Sequence, residues 1–170
     1  MKCDILISGG GIAGLAAAAA FGNAGFDVIC VDPAAPVTDG AAQGADMRST
    51  AMLQPARRVL ESAGIWNHLQ DHAAPLQIMR VVDAGGPDMV PRTTREFDAA
   101  DISEQPFGWN FPNWLLRRAL LDRFSELPNV DFRPGVSTTS LFTRTTGAKV
   151  AWSLRQMGAT VRCATPRASR

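Results

Sequence analysis

The chain is expected to be an α/β domain built around a parallel strand–helix–strand unit, and three observations predict it. Residues 4–8 are a short apolar strand running straight into Gly9-x-Gly11-x-x-Gly14. A helix-compatible segment follows from Ile12 to Asn23, rich in small residues that let a helix lie close to a sheet. A second apolar run then ends in Asp32, eighteen residues after Gly14.

The elements follow in order. Residues 3–8 alternate little, as a strand buried on both faces should. The first helix covers 12–23, with Gly25 as its stop signal. Phe26 to Val31 form the second strand, closed by Pro33, so one βαβ unit spans 3–32. Residues 33–47 read as a loop rich in Ala, Pro, Gly and Asp. Ser49 is expected to cap a helix from about Thr50 to Ala63, with Met52, Val59 and Leu60 on its apolar face and Arg57 and Arg58 outward. Gly64 ends it, and a short helix follows at Trp66–Leu69.

From about 76 to 108 the sequence turns β-rich. Residues 76–83 read as a strand, Gly85-Gly86 as a turn, Met89-Val90 as the start of a return strand and Glu96–Asp98 as a further strand. This insertion predicts a mixed sheet and a second layer. Asn113–Leu127 reads as a helix with Leu116, Leu120, Leu121 and Phe124 on one face. Strands are expected at 130–134, 136–143 and 148–154, with Gly147 at the turn between the last two. Residues 1–161 are thus expected to be one domain, and residues 162–170 a disordered basic tail without acid or apolar periodicity.

Composition narrows the partners. The 170 residues suffice for one core; 46% of them are hydrophobic and the net charge is +1, which argues against disorder and against a strongly electrostatic partner. No basic patch precedes the last few residues, so nucleic acid is not expected. Cys3, Cys30 and Cys163 form no CxxC pair. The first two fall on strands as small hydrophobes, and the sparse, odd count fits a reducing cytoplasm. No signal peptide is read, and Ala16–Phe21 is far shorter than the roughly 20 apolar residues of a membrane span. His68 and His72 lack a third ligand, so no metal site is expected; no general base is identified, and the catalytic residues stay unknown.

The glycine turn carries the chemistry. Gly9 permits the sharp turn off the strand, Gly11 lets backbone approach a pyrophosphate, and Gly14 lets the helix pack on the strand. Ile12 and Ala13 open the helix, whose first N–H groups face the phosphates. Asp32 can accept both ribose hydroxyls and argues against a 2′-phosphate, hence against NADP in this slot. The motif predicts a dinucleotide but does not choose between NAD and FAD.

Further segments bear on that choice. Asp46-Met47-Arg48-Ser49-Thr50-Ala51-Met52 resembles the D-x-R-[ST]-x-A-L segment of flavin-dependent aromatic hydroxylases, the para-hydroxybenzoate hydroxylase-like monooxygenases and especially the ubiquinone-biosynthesis hydroxylases. Leu60-Glu61-Ser62-Ala63-Gly64-Ile65-Trp66 is similar to that family's L-x-x-x-G-[VI]-W. Ala74-Pro75-Leu76 with Met79 and Val82-Asp83 resembles it too, as does Gly108-Trp109-Asn110-Phe111-Pro112-Asn113 with Leu116 and Leu120 behind. The resemblance covers roughly residues 3–160.

It implies FAD in the glycine turn and NAD(P)H as transient reductant, the flavin then placing one oxygen atom of O2 on an electron-rich ring. Gly9, Gly11 and Gly14 would hold the pyrophosphate and Asp32 the adenosine ribose; the family often has Glu there, and the shorter acid needs a small backbone shift. Arg48 would lie along the flavin side of the cofactor, pairing with the pyrophosphate or shielding the isoalloxazine, or else be a solvated surface arginine. Asn113 would contact FAD, or cap its helix, or both. Trp109 and Trp114 are read as packing residues rather than substrate contacts.

The family continues with a G-A-D-G and a G-D-A-A-H-type segment, which the given sequence does not reach. A truncated form, with its frame lost near Arg162 and core surface exposed for self-association, is therefore expected. Two alternatives stay open: a non-catalytic ADP- or dinucleotide-binding module, and an NAD-linked dehydrogenase domain, against which the Asp46–Met52 segment argues. The partner is expected to be a small aromatic or quinone-precursor substrate, and the location cytoplasmic, with peripheral membrane association if that substrate is prenylated.

Overall fold

The computed structural model describes residues 3–87, 90–144, 147–154 and 160–161. Chain order is β1 (Ile5–Ser8), α1 (Ile12–Asn23), β2 (Val28–Asp32), β3 (Ser49–Leu53), α2 (Gln54–Ser62), β4 (Ala74–Pro75), β5 (Ile78–Ala84), β6 (Pro91–Asp98), β7 (Gly108–Pro112), α3 (Asn113–Phe124), β8 (Val130–Pro134), β9 (Val136–Arg144), β10 (Gly147–Leu154) and β11 (Thr160–Val161). Short 3₁₀ turns occupy Trp66–His68, Gln70–His72 and Ala99–Asp101. The α/β class is as expected: a parallel sheet in the order β1-β2-β8 stands beside antiparallel sheets β3-β7-β4, β5-β6 and β11-β10-β9.

The βαβ unit forms because its residues suit close packing. Leu15, Ala18, Ala19 and Gly22 recur at helical spacing and are all buried. A Cβ on Gly22 would stand 2.2 Å from a methyl of Val130, so α1 lies against β8 as closely as backbone allows. Phe111, Leu15, Ile65, Leu69, Leu116 and Leu120 are fully buried in the core that joins α1, α3 and β7. Each such side chain contributes roughly 1.5–3 kcal/mol relative to exposure.

Three expectations are corrected. The helix predicted over Thr50–Ala63 is a strand followed by a shorter helix. Ser49–Leu53 pairs antiparallel with Gly108–Pro112, Thr50 opposite Phe111 and Met52 opposite Trp109. Leu53, not Ser49, is the N-cap, and Pro55 sits in the first turn, where a missing N–H costs nothing. Nor does Arg57 point outward: its guanidinium lies 4.8 Å from the Trp66 ring centre and 4.5 Å from that of Trp109. Elsewhere, Glu96–Asp98 is the end of one return strand, β6, and not a separate element. The expected start of that strand at Met89, the turn before Gly147 and the 162–170 tail lie at least partly outside the described residues.

Arg123 joins three helix ends. It donates from Nε to the Ala63 carbonyl at 3.0 Å and from Nη2 to Asn23 Oδ1 at 2.7 Å, and it pairs with Glu126. Its side chain is 14% exposed. Arg123→Ala is expected to cost about 1–3 kcal/mol, measured by urea unfolding, because the Ala63 carbonyl and the Asn23 amide oxygen lose a charged donor. Trp109 is buried against Trp66 with ring centres 5.3 Å apart, and Trp114 packs on the same core, so both serve packing. His68 faces Glu126 at 3.3 Å.

Candidate nucleotide-binding site

The glycine turn is built as its spacing predicts. Gly9 has φ +117°, a region that favours glycine, and its N–H donates to the Val31 carbonyl at 2.8 Å. A Cβ on Gly14 would stand 1.9 Å from the Gly9 carbonyl oxygen, so helix and turn touch through backbone alone. Gly11 differs from both. Its φ is −71°, open to any residue, and a Cβ there would meet nothing within 4 Å. Among the described residues no contact requires glycine at this place, and the open space leaves room for close approach of a ligand to the backbone. Gly11 is also the N-cap of α1 without a side-chain cap, and the N–H groups of Ile12 and Ala13 begin the helix beside it.

Asp32 closes the other side. Its Oδ2 accepts from the Gly10 N–H at 2.6 Å and its Oδ1 from the Ala34 N–H at 2.8 Å. Each carboxylate oxygen has two lone pairs, so both keep one for a ribose hydroxyl. Gly10, unassigned in the motif reading, is therefore part of the site. A Cβ on it would lie 2.9 Å from Asp32 Cβ and 2.9 Å from the Phe132 ring. Beneath the turn, burial first and the Asp32 charge second push the Cys30 thiol up to about 11, which makes it a packing group rather than a nucleophile.

Gly10, Gly11, Asp32, the 34–37 loop and Arg117 line one cleft of about 190 Å³. That is below the roughly 300–1,000 Å³ of a whole ligand site, so it suits one end of a dinucleotide. The residues present thus fit the nucleotide half of such a cofactor.

Arg48 and Asn113, predicted from separate segments, meet at Asp46. Arg48 donates from Nε to Asp46 Oδ1 at 2.8 Å and from Nη2 to Oδ2 at 2.9 Å. Asn113 Nδ2 donates to the same Oδ2 at 3.0 Å, and Thr50 Oγ1 donates to Asn113 Oδ1 at 2.6 Å. The Asn113 N–H bonds the Arg48 carbonyl at 2.8 Å. Asn113 is 7% exposed and stands inside α3 as its first residue, with Pro112 as N-cap, so it ties the loop to the helix and does not cap it. Arg117, absent from the sequence prediction, adds a contact from Nη2 to Asp46 Oδ2 at 3.3 Å. The available signal was spacing: Asn113 and Arg117 are four apart and share a helix face.

Hydrogen bonds from Arg48 first and Asn113 second hold the Asp46 carboxyl well below the usual carboxylate range. A depressed native pKa contributes stability fully above the unfolded value, and that contribution is lost as pH falls through the native one. The urea midpoint of the wild type is therefore expected to exceed that of Asp46→Asn above roughly pH 4, with the difference shrinking on further acidification. A difference independent of pH would contradict it.

A glycine turn on a parallel βαβ unit, an acid at the end of its second strand and a small cleft between them are the arrangement of a dinucleotide-binding fold. The family model described as FAD binding domain matches residues 2–164, and the chain belongs to that family. The ubiquinone hydroxylase UbiL of Rhodospirillum rubrum is 34% identical over 125 residues, which are 74% of this chain and 28% of the relative. The chain thus spans little more than a quarter of that relative's length. Among solved structures, p-nitrophenol 4-monooxygenase PnpA from Pseudomonas putida superposes with a TM-score of 0.76 at 16% identity, over 96% of this chain and 39% of that one. The flavin-dependent monooxygenase PieE, solved with FAD and substrate, gives 0.70 at 22% identity, over 97% and 29%. At these identities the likeness shows the fold. The motif resemblance to flavin-dependent hydroxylases is borne out, and FAD is the cofactor of the family. Among the described residues no helix is long and apolar enough to cross a membrane.

Proposed function

We propose that the chain is the FAD-gripping portion of a flavin-dependent monooxygenase that hydroxylates an aromatic ring, a quinone precursor in ubiquinone biosynthesis, with NAD(P)H as transient reductant. The observation that carries this reading is the knot at Asp46. The D-x-R loop, which carries the resemblance to flavin-dependent hydroxylases, is tied through Asn113 to the head of α3. The identity to a ubiquinone hydroxylase supports the substrate class.

Bound FAD supplies the redox and oxygen-transfer chemistry. The chain's own residues bind and orient. Gly9, Gly11 and Gly14 shape the diphosphate turn, with the N–H groups of Ile12 and Ala13 directed at the diphosphate. Asp32 accepts the ribose hydroxyls. Arg48, with its side chain 82% exposed, reaches along the flavin side, and Asn113 holds the loop that carries it.

The visible absorption spectrum of the purified protein tests the reading. Flavin bands at near-stoichiometric occupancy, restored by added FAD after stripping, are expected. A colourless protein that binds ADP but not FAD would favour a non-catalytic nucleotide module instead. For the substrate class, a para-hydroxybenzoate-derived ring is expected to perturb the bound flavin spectrum; a spectrum unmoved by any such ring removes the quinone-precursor assignment.

A further inference from the structure

We infer that Arg117, not Arg48, supplies the positive charge to the nucleotide diphosphate, and that Asp46 is the positioning residue that aims it. This assignment rests on the proposal that the cleft takes the ADP end of FAD.

Three observations carry it. Arg117 lines the cleft together with Gly10, Gly11 and Asp32, whereas Arg48 does not. The Arg117 side chain is 22% exposed against 82% for Arg48, so its charge acts with less solvent screening. Arg48 closes a two-pronged bond on both Asp46 oxygens. Among the described residues Arg117 makes one hydrogen bond, the 3.3 Å contact to Asp46 Oδ2, out of five available N–H donors.

A half-buried guanidinium with most donors unused calls for an acceptor. The other acid of the cleft, Asp32, already takes two backbone N–H groups and is placed for sugar hydroxyls. The remaining N–H groups of Arg117 are open to solvent at the cleft, where a phosphate can displace water from them, and the glycine turn opposite is shaped for phosphates. Asp46 Oδ2 receives Arg48, Asn113 and Arg117 together, so it fixes the direction of Arg117 without entering the cleft lining.

The test is calorimetric titration of the 170-residue chain with ADP, adenosine and FAD. Arg117→Ala is expected to weaken ADP and FAD by on the order of 10- to 100-fold, the loss of charge-assisted bonds. Adenosine should change by less than about twofold, because it carries no phosphate. Arg117→Lys should recover part of the loss. Asp46→Asn should weaken ADP in the same sense, and Arg48→Ala should weaken FAD more than ADP. Thermal unfolding of each variant reports folding, and Arg117→Met replaces any alanine variant that fails to fold. An ADP loss below about threefold in a folded Arg117 variant overturns the assignment, as does an equal loss for adenosine. A wild type that binds neither ADP nor FAD overturns the cofactor reading itself, and the assignment with it.

Discussion

Gly14→Ala is expected to lower stability by about 3 kcal/mol, the upper end of the usual overpacking cost, and to weaken ADP binding roughly tenfold or more. The added methyl carbon would fall 1.9 Å from the Gly9 carbonyl oxygen and 3.0 Å from its carbon. Both obstacles are backbone, so no side chain can swing away. Either α1 lifts from β1 or the turn deforms, and in both cases the N–H groups at the head of α1, proposed to face the diphosphate, move. Gly11→Ala is the matched control. Its methyl meets nothing within 4 Å, so stability should hold while ADP affinity falls. Urea unfolding and ADP titration on both variants separate the two roles. A stability loss at Gly11 equal to that at Gly14 would show that Gly11 is not reserved for a ligand.

Phe111→Ala is expected to cost about 3–5 kcal/mol, read as a shift of the urea midpoint. Phe111 is fully buried on β7, with its ring 6.0 Å from that of Trp66 at an interplanar angle of 86°. Removing it loses the transferred area, opens a cavity and forfeits an edge-to-face contact. The effect should reach the site as well. Phe111 lies opposite Thr50 in the β3–β7 ladder, and Thr50 holds the Asn113 amide. A slackened ladder loosens the loop that carries Asp46 and Arg48, so FAD affinity should fall alongside stability. Phe111→Leu, which keeps most of the volume, should cost under about 1.5 kcal/mol; a cost as large as that of alanine would mean that the ring itself, not its bulk, matters.

The glycine turn was legible because its logic is local. Strand, turn, helix and acid lie within residues 3–32; Gly9 and Gly14 are set by the turn and by its contact with the helix, and Gly11 belongs to the same spaced motif. The stretch at 50–63 was not, because its pairing is distant. Thr50–Leu53 has residues that tolerate a helix, and what makes it a strand is β7, more than fifty residues on. Burial alternates along Ser49–Leu53 in the fold, but the sequence Ser-Thr-Ala-Met-Leu has no matching polar–apolar alternation to announce it. Arg48 and Asn113 were found through motifs, but their meeting at one carboxylate depends on how α3 docks against the loop. Arg117 is harder still. Nothing local distinguishes it from its neighbour Arg118, which lies over the Trp114 ring at 5.2 Å; only the docked helix sends one arginine to the cleft and the other to an indole.

The central place of β2 has a consequence for when the site exists at all. β2 is paired on both edges, to β1 and to β8, and Val28–Val31 are all buried. Its amides should be the slowest in the chain to exchange with deuterium, opening only with global unfolding. The β5–β6 hairpin, a two-stranded sheet with almost every side chain exposed, should exchange fastest among the described strands. Asp32 is the last residue of β2, so the acid proposed to hold the ribose rides on the segment expected to persist longest. Local breathing elsewhere should leave that end of the grip in place.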